Sequence, residues 1–577
     1  MEHQAVRDAR SRALTHSVTL DDREVREELR RLSIAGTLMP AFAPQLPHLQ
    51  GGRFLACLWI LTKHVLASGA KHRDDPYAEP LNTLLRSYIG VSYFVCLSGF
   101  VTQWAYGSRD VAKRWVYGQF VLRRVVRVLV MSWISLVVSV VLRELLHKEP
   151  CRGEQAWMCV RCFAMVQPWA LTPGFDAWEY TFCPNPVIWT VASLLPAWLL
   201  YPVIQRAVNT LATLGGGWTL LAALVGLWAL SFFSTLATAV ILEVGSMTPV
   251  DQLGFQRVYA SPLFVFGDFC LGAIAAKMAQ HQLAQEEADE LIAAWERFHP
   301  RRVAWERYSP WSGTYWHGDG GGAPAPAAAA APAAAAAPAA DEQAPLLAKA
   351  PAAKVVFGRR KRWAAVVADL ALVLAVVLIF FLPPLPHWGS VGEHIVGANA
   401  SKSDDGDGHA YAKAAPLEPL ATTRLSNASA AAAAAAEIAP SSAWLRLLHR
   451  GFVRAGFEAV LPHCLSILWA LWFYGSAVNA DAPGGCARVL QHPALVALGE
   501  YSFAVYLFQL PLIDFAILVF GDTSWSNPVT QGWVLFVVFW LAAAYSRLVD
   551  VPFSRLLRRA TAGWEHRGEA KLQESKV

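Results

Sequence analysis

Charged residues are scarce in this chain, and their scarcity excludes an ordinary soluble protein. Asp, Glu, Lys and Arg make up 16% of the 577 residues, whereas hydrophobic residues make up 55%. A typical soluble domain carries about 25% charged residues. We therefore expect an all-α polytopic membrane protein with membrane lipids around it.

Nucleic-acid-binding motifs are also missing. The net charge of +5 is small, and the basic residues adjoin apolar segments, so no nucleic-acid partner is expected. The first 50 residues are polar and then Pro-rich, which is unlike a cleavable signal peptide. Membrane insertion is expected to begin at the first apolar segment.

Apolar segments close to the roughly 20 residues that a membrane span requires recur along the chain. They lie at about 53–70, 88–106, 125–142, 187–204, 217–243, 259–279, 363–383, 452–475, 493–520 and 530–549. The sequence thus predicts about ten transmembrane helices.

Basic residues orient these segments by the positive-inside rule. Three clusters fall on one side of the membrane if the N-terminus is cytosolic and every segment crosses once. The clusters are Lys113, Arg114, Arg123, Arg124 and Arg127; Arg301, Arg302, Arg359, Arg360, Lys361 and Arg362; and Arg555, Arg558 and Arg559. We expect both termini in the cytosol, with the protein in an endomembrane or the plasma membrane.

Two segments rich in Ala, Gly, Pro and Ser, 318–352 and 397–442, are typical of disordered insertions. The expected organisation is as follows: a cytosolic tail (1–45), six spans (46–280), a cytosolic insertion (281–362), a seventh span (363–384), a lumenal loop (385–450), three spans (451–560) and a cytosolic tail (561–577).

Two features agree with a lumenal side. The sequons at Asn399 and Asn427 fall in the predicted lumenal loop. Cys151, Cys159, Cys162 and Cys183 crowd another predicted lumenal loop. Two disulfides, with three possible pairings, are favoured there, and a zinc site is the alternative.

Arg53 and His64 are ionisable residues, eleven positions apart, at the start and interior of the first apolar segment. Ionisable groups are costly in a membrane and need a reason to be there. Eleven helical steps of about 100° bring both side chains to one face, about 16 Å apart along the axis. They are either the two ends of one reaction path, or a snorkelling arginine and a packed histidine.

Further motifs follow in a fixed order. Gly90-VSYFVCLSG-Phe100 is followed by Arg123-Arg124-VV-Arg127. Then come Trp189-Thr190, Tyr201-Pro202, Phe266-GDFCL-Gly272, Leu498-GEYS, Tyr506-LFQLP and Arg547-LVDVPF. This series resembles the acyltransferase 3 family of integral membrane O-acyltransferases.

The resemblance implies a ten-helix core that transfers an acyl group, commonly acetyl, from acyl-CoA to a hydroxyl of a glycan, lipid or metabolite. Acyl-CoA would be a co-substrate; no bound cofactor or metal is expected. Carried onto this chain, Arg53 would meet coenzyme A or its thioester near the cytosolic side. His64 would be the base that takes the proton from the acceptor hydroxyl, since histidine titrates near neutral pH.

Other residues of the motif series become candidates for substrate binding. Arginine forks suit the phosphates of coenzyme A, although for each arginine taken singly a positive-inside anchor is the favoured explanation. The candidates are Ser98, Arg123, Arg124, Arg127, Trp189, Tyr506 and Gln509.

The chain also departs from the family pattern. Ser92 and Leu194 stand where the family usually has acids, Gln509 where it has a second histidine, and Asp550 where it has a glutamate. Ser92 and Gln509 can still form hydrogen bonds. The losses support an alternative function, a non-catalytic transporter or lipid-binding protein on the same scaffold.

Four more polar residues fall in or near predicted spans. Asp268 is a candidate partner for a base, and Asp514 is a weaker functional candidate. His463 follows a proline and is interpreted as structural. Lys63 either snorkels to the interface or holds His64 neutral by its charge.

Overall fold

The computed structural model describes residues 45–69, 88–146, 151, 155–169, 183–241, 259–298, 359–381, 456–520 and 527–564. Every regular element in these ranges is helical, which confirms the all-α prediction. The segments 318–352 and 397–442 and both sequons lie outside them, whereas 281–298 and 359–362, at the two ends of the predicted cytosolic insertion, are helical.

Fifteen α-helices are numbered here in chain order. They are α1 Pro47–Gly69, α2 Tyr88–Tyr106, α3 Arg114–Phe120, α4 Arg127–Leu145, α5 Gln155–Phe163, α6 Trp189–Leu199, α7 Tyr201–Ile241, α8 Pro262–Phe298, α9 Arg359–Phe381, α10 Gly456–Val478, α11 Gly485–Leu490, α12 Pro493–Glu500, α13 Ser502–Phe520, α14 Pro528–Tyr545 and α15 Val551–Ala562.

Within the described ranges, five helical stretches are long and apolar enough to cross a membrane, and a sixth results if the bent pair α12–α13 counts as one span. The predicted count of ten is not confirmed. Polar residues such as Arg53, Lys63 and His64 lower the apolar character of α1, and α6 is only 11 residues long. The five stretches are Arg114–Leu145, Tyr201–Thr238, Pro262–Asp289, Val460–Val478 and Pro528–Ala562.

Helix α8 forms the centre of the bundle. Of its most apolar stretch, 89% is buried, against 28% for the stretches that contain α7 and α14. It packs against α2, α7 and α10. The outer helices expose large apolar side chains, such as Trp218 and Trp540, as expected of helices that face lipid.

Glycines permit the closest helix contact in this bundle. A methyl group on Gly99 of α2 would overlap the carbonyl oxygen of Phe269 on α8, and one on Gly272 of α8 would overlap the carbonyl oxygen of Cys96 on α2. Small residues let membrane helices approach backbone to backbone. The glycines of the SGF and FGDFCLG motifs therefore join α2 to the central helix.

Two π-helical turns interrupt the helical register. One, Val121–Val126, joins α3 to α4, and the other, Ser546–Asp550, joins α14 to α15. Such turns insert a residue into the helix and are frequent at functional sites. The first carries Arg123 and Arg124, and the second ends in Asp550.

Disulfides close the segment that contains α5. Cys151 pairs with Cys159, and Cys162 pairs with Cys183. The preference for disulfides over zinc is confirmed, and of the three possible pairings the structure has this one. Cys183 lies just before a short 3₁₀ turn, Pro186–Ile188, that leads into α6.

We predict that Gly272→Ala destabilises the protein by about 1–3 kcal/mol, because the added methyl forces α2 away from α8. The matched control is Gly226→Ala, where nothing lies within 4 Å of the added carbon. Thermal unfolding in detergent should show a lower midpoint for Gly272→Ala only. Equal midpoints for the two variants would contradict the close contact.

Candidate active site

The start of α1 is held by close backbone contacts. A side chain on Gly51 would overlap the carbonyl oxygen of Leu490, and one on Gly499 would overlap the carbonyl oxygen of Gln50. Arg53 Nη1 donates a hydrogen bond of 2.9 Å to Gln50 Oε1. The first turns of α1 therefore set the position of the Arg53 guanidinium.

The imidazole end of the site joins α1 to α13. The distance from His64 Nδ1 to Gln509 Oε1 is 3.0 Å. Gln509 Nε2 donates to the Tyr506 carbonyl oxygen at 3.0 Å, and a carbonyl can only accept, so the oxygen of the amide faces His64. An oxygen acceptor requires a hydrogen on Nδ1. Neutral His64 therefore carries its basic lone pair on Nε2.

The Tyr506 side chain links α13 to the start of α6. Its hydroxyl lies 3.0 Å from Thr190 Oγ1 and donates to the Val187 carbonyl oxygen at 3.0 Å. Trp189 is buried against Tyr259, with ring centroids 4.8 Å apart. Tyr506 thus braces the helix that carries Gln509, and Trp189 packs beside that brace.

A second group of residues, the guanidinium end, comprises Arg53, Arg124, Arg127, Ser98 and Asp550. The three arginines lie close enough to interact electrostatically with one another. Arg124 Nη2 donates to the Ser98 carbonyl at 3.1 Å and to its hydroxyl at 3.3 Å. Ser98 therefore positions Arg124.

Two of the predicted phosphate ligands are engaged by the protein itself. Arg127 binds Asp550 through two parallel hydrogen bonds of 2.7 and 2.6 Å. Arg123 Nε donates to Thr561 Oγ1 at 2.6 Å. Both contacts hold the segment after α14 against the first π turn, so these two arginines have a structural partner that the sequence did not reveal.

Arg53 and Arg124 differ from that pair. Within the described ranges neither forms an ion pair with a carboxylate, and Arg124 Nε is buried without a hydrogen-bond partner. Charged groups in an apolar interior are costly unless they are matched. These two guanidinium groups are therefore the ones best placed for an anionic ligand.

The residues that replace the family's usual acids and second histidine have different surroundings in the structure. Ser92 donates to the Ile89 carbonyl at 3.0 Å and accepts from Trp469 Nε1 at 3.2 Å. Leu194 is buried in apolar packing. Of the residues that replace the family's acids and second histidine, Gln509 is the one bonded to His64. Lys63 is half-buried beside it and interacts with it electrostatically.

A buried histidine–carboxylate contact away from His64 was not predicted from the sequence. His463 Nδ1 lies 2.9 Å from Asp268 Oδ2, and both side chains are 2% exposed. Asp268 therefore does partner a histidine, but one interpreted only as structural. Asp514 pairs with Arg143 at 3.3 Å. The sequence does not predict either pairing, because the two partners of each pair lie on different helices.

Metal chemistry was not expected here. Over the described part of the chain, no three His, Cys, Asp or Glu residues come together as a metal site would require.

Comparison with known proteins adds one match. Residues 47–295 match the family Acyl_transf_3, an acyltransferase domain. No curated protein and no solved structure matches the chain. The matched residues include Arg53, His64 and Arg124, whereas Gln509 lies beyond them. With its apolar helices, the protein is an integral membrane protein whose residues 47–295 match the acyltransferase domain of the acyltransferase 3 family.

Proposed function

We propose that the protein is an O-acyltransferase that moves an acyl group, most simply acetyl, from acyl-CoA to a hydroxyl of a glycan, lipid or small metabolite. The observation that carries this proposal is the contact between His64 and Gln509. It provides a histidine with a defined basic nitrogen inside a domain of the acyltransferase family.

The chemistry requires a base, because a hydroxyl is a weak nucleophile until its proton is removed. His64 Nε2 takes the proton of the acceptor hydroxyl while the hydroxyl oxygen attacks the carbonyl carbon of the thioester. The new C–O bond forms, the C–S bond breaks, and the CoA thiolate takes the proton from His64. An ester and free CoA result, and His64 returns to its neutral form.

The guanidinium end supplies the complementary role. Coenzyme A carries a pyrophosphate and a further phosphate, and guanidinium forks match phosphate oxygens. Arg53 and Arg124, which have no carboxylate partner in the described ranges, are our proposed ligands. Arg127 adds to the positive field while it holds Asp550.

The two ends suit a reaction that uses substrates from opposite sides. Arg53 precedes His64 by eleven residues on α1, about 16 Å along its axis. With the N-terminus in the cytosol, the guanidinium end faces cytosolic acyl-CoA. His64 is then nearer the lumen, where the acceptor hydroxyl would enter.

A transporter or lipid-binding protein remains the second candidate. It is favoured by Ser92 and Leu194, which replace acids: Ser92 is bonded to Ile89 and Trp469, and Leu194 is buried in apolar packing. A transporter would move its substrate even when His64 is replaced, whereas an acyltransferase requires that residue for chemistry.

We predict that His64→Gln lowers acyl transfer by about 10²–10⁴-fold, the usual contribution of a general base. The measurement is transfer of labelled acetyl from acetyl-CoA to acceptors in membranes that contain the protein. His281→Gln, which changes another buried histidine, on α8, is the control and should retain transfer. Equal activity of the two variants would exclude His64 as the base.

We also predict that Gln509→Leu lowers transfer by about tenfold, because one hydrogen bond that orients the base is lost. The matched control is Gln282→Leu on α8, whose amide bonds Glu286 at 3.1 Å. If both variants behave alike, Gln509 does not orient His64.

A third expectation concerns the donor. Arg124→Gln should raise the KM for acyl-CoA by roughly 10- to 150-fold, the value of a lost charged hydrogen bond, with a smaller effect on kcat. Arg206→Gln, at an exposed position of α7, should leave KM unchanged. An unchanged KM for Arg124→Gln would show that this arginine is only an anchor.

A further inference from the structure

The chain between α4 and α6 runs back toward the middle of α4. Trp133 Nε1 donates to the Phe163 carbonyl oxygen at 2.9 Å, and Asn185 Nδ2 donates to Ser135 Oγ at 3.1 Å. Helix α4 ends at Leu145, ten residues beyond Ser135 and therefore about 15 Å farther along the axis. An asparagine side chain is much shorter than this distance, so the chain has returned to the depth of Ser135 before α6 begins. We call the described residues 155–169 and 183–188 of this stretch the returning segment.

The inner end of the returning segment is bonded to a second helix. Asn185 Nδ2 also donates to the Leu507 carbonyl oxygen at 2.9 Å, and the Val187 carbonyl oxygen accepts from the Tyr506 hydroxyl, 3.0 Å away. Both partners lie on α13, and the Asn185 and Val187 side chains are buried. Residues 183–188 therefore lie between α4 and α13, at the depth of the middle of α4. Helix α6 has only 11 residues because the chain enters it from this depth.

The backbone at the end of α5 is satisfied without water. The carbonyl oxygens of residues 160–163 accept from the N–H groups of Ala164, Val166 and Met165 and from the Trp133 indole, at 2.9–3.1 Å. Met165, at φ 56°, occupies the left-handed region that closes such a helix end. A helix end in water can leave its last carbonyls to solvent, whereas hydrocarbon requires internal partners. This end of α5 meets the stricter requirement.

The exposed side chains of the returning segment include a row of large apolar ones. They are between 38% and 61% exposed, and they are Trp157, Val160, Phe163, Val166 and Trp169. We call these five side chains the apolar face. Over 155–169 the single charged residue is Arg161, which is half-buried. A loop in water seldom exposes so much contiguous apolar surface.

The apolar face continues the exposed surface of α4. Helix α4 belongs to a stretch long and apolar enough to cross a membrane, and its exposed apolar row comprises Trp133, Val137, Val141 and Leu145. These residues recur every four positions and therefore share one helix face. The hydrogen bond from Trp133 to the Phe163 carbonyl sets the α4 row and the apolar face side by side. Together they form one apolar patch.

We infer that the returning segment is a re-entrant part of the membrane domain and that lipid acyl chains cover its apolar face. The sequence predicts a lumenal loop here instead. A second copy of the chain would also cover an apolar surface, but the depth beside α4 and the internally satisfied end of α5 favour hydrocarbon. The inference goes beyond the proposed function and does not depend on acyl transfer.

The test uses the full-length protein in phosphatidylcholine vesicles whose acyl chains carry a photoreactive diazirine. Irradiation followed by peptide mass spectrometry shows which residues contact hydrocarbon. The apolar face should carry adducts as often as the α4 row, and Val489, an exposed valine between α10 and α12, should carry fewer. If the α4 row is labelled and the apolar face is labelled no more than Val489, the inference is overturned. Cross-links from the apolar face to a second copy, in place of lipid, would overturn it too.

A pair of substitutions gives an independent measurement. A carboxylate that faces hydrocarbon is costly, so Val166→Asp should lower the unfolding midpoint in vesicles more than Val489→Asp does. Val166→Leu, which keeps the surface apolar, should match the wild-type protein. Equal midpoints for the two Asp variants would contradict a lipid-facing position. If Val166→Asp does not fold, lipid labelling of the wild-type protein still decides the question. Neither readout uses acyl transfer, so a failure of the proposed function would leave both results standing.

Discussion

The cost of burying charge in an apolar helix bundle is the constraint on which this site depends. The guanidinium groups of Arg53, Arg124 and Arg127 lie close together where α1, the first π turn and α4 meet. One carboxylate, that of Asp550, lies beside them and forms an ion pair with Arg127. Its two hydrogen bonds satisfy Arg127 and hold the two π turns together. Asp550 also attracts Arg53, but neither Arg53 nor Arg124 forms an ion pair with a carboxylate in the described ranges. An anionic ligand would complete the arrangement.

Helix α1 places the two ends of the site on one rigid element. Its first turns are fixed by contacts that only glycine allows, and its later part carries His64 to Gln509. The amide of Gln509 orients the imidazole without adding charge. A carboxylate in that position would also stabilise the imidazolium formed during transfer, whereas an amide does so weakly. The proposed base, His64, is therefore oriented but has only modest electrostatic support.

Local sequence patterns were sufficient to predict part of the fold and of the candidate site. Long apolar segments predicted the helices, and the ordered motifs indicated the family that is confirmed over residues 47–295. Gln509 was predicted to retain hydrogen-bonding capacity in place of the second histidine, and its amide contacts His64. Four clustered cysteines favoured disulfides, although spacing did not select among the three pairings.

Contacts between side chains that are far apart in the chain could not be predicted from the sequence. Arg127 and Asp550 are 423 residues apart, and Asp268 and His463 are 195 apart, so no periodicity connects them. The π turns have no residue signature that distinguishes them from ordinary helix. The position of the Tyr93 hydroxyl against Gly52, a glycine on another helix, was likewise not predictable from the sequence. The predicted number of spans is not confirmed, because within the described ranges polar α1 and short α6 do not meet the length and composition of a crossing helix.

The central claim is that acyl-CoA is used at the guanidinium end from the cytosol and that the acceptor is used at the His64 end from the lumen. Sealed vesicles with their cytosolic face outward test it most directly, when labelled acetyl-CoA is supplied from outside. The account predicts that labelled ester accumulates inside the vesicles, protected from added esterase until detergent is added, and that vesicles with His64→Gln lack it. Labelled ester exposed on the outer face, or transfer that occurs only after permeabilisation, would contradict the account.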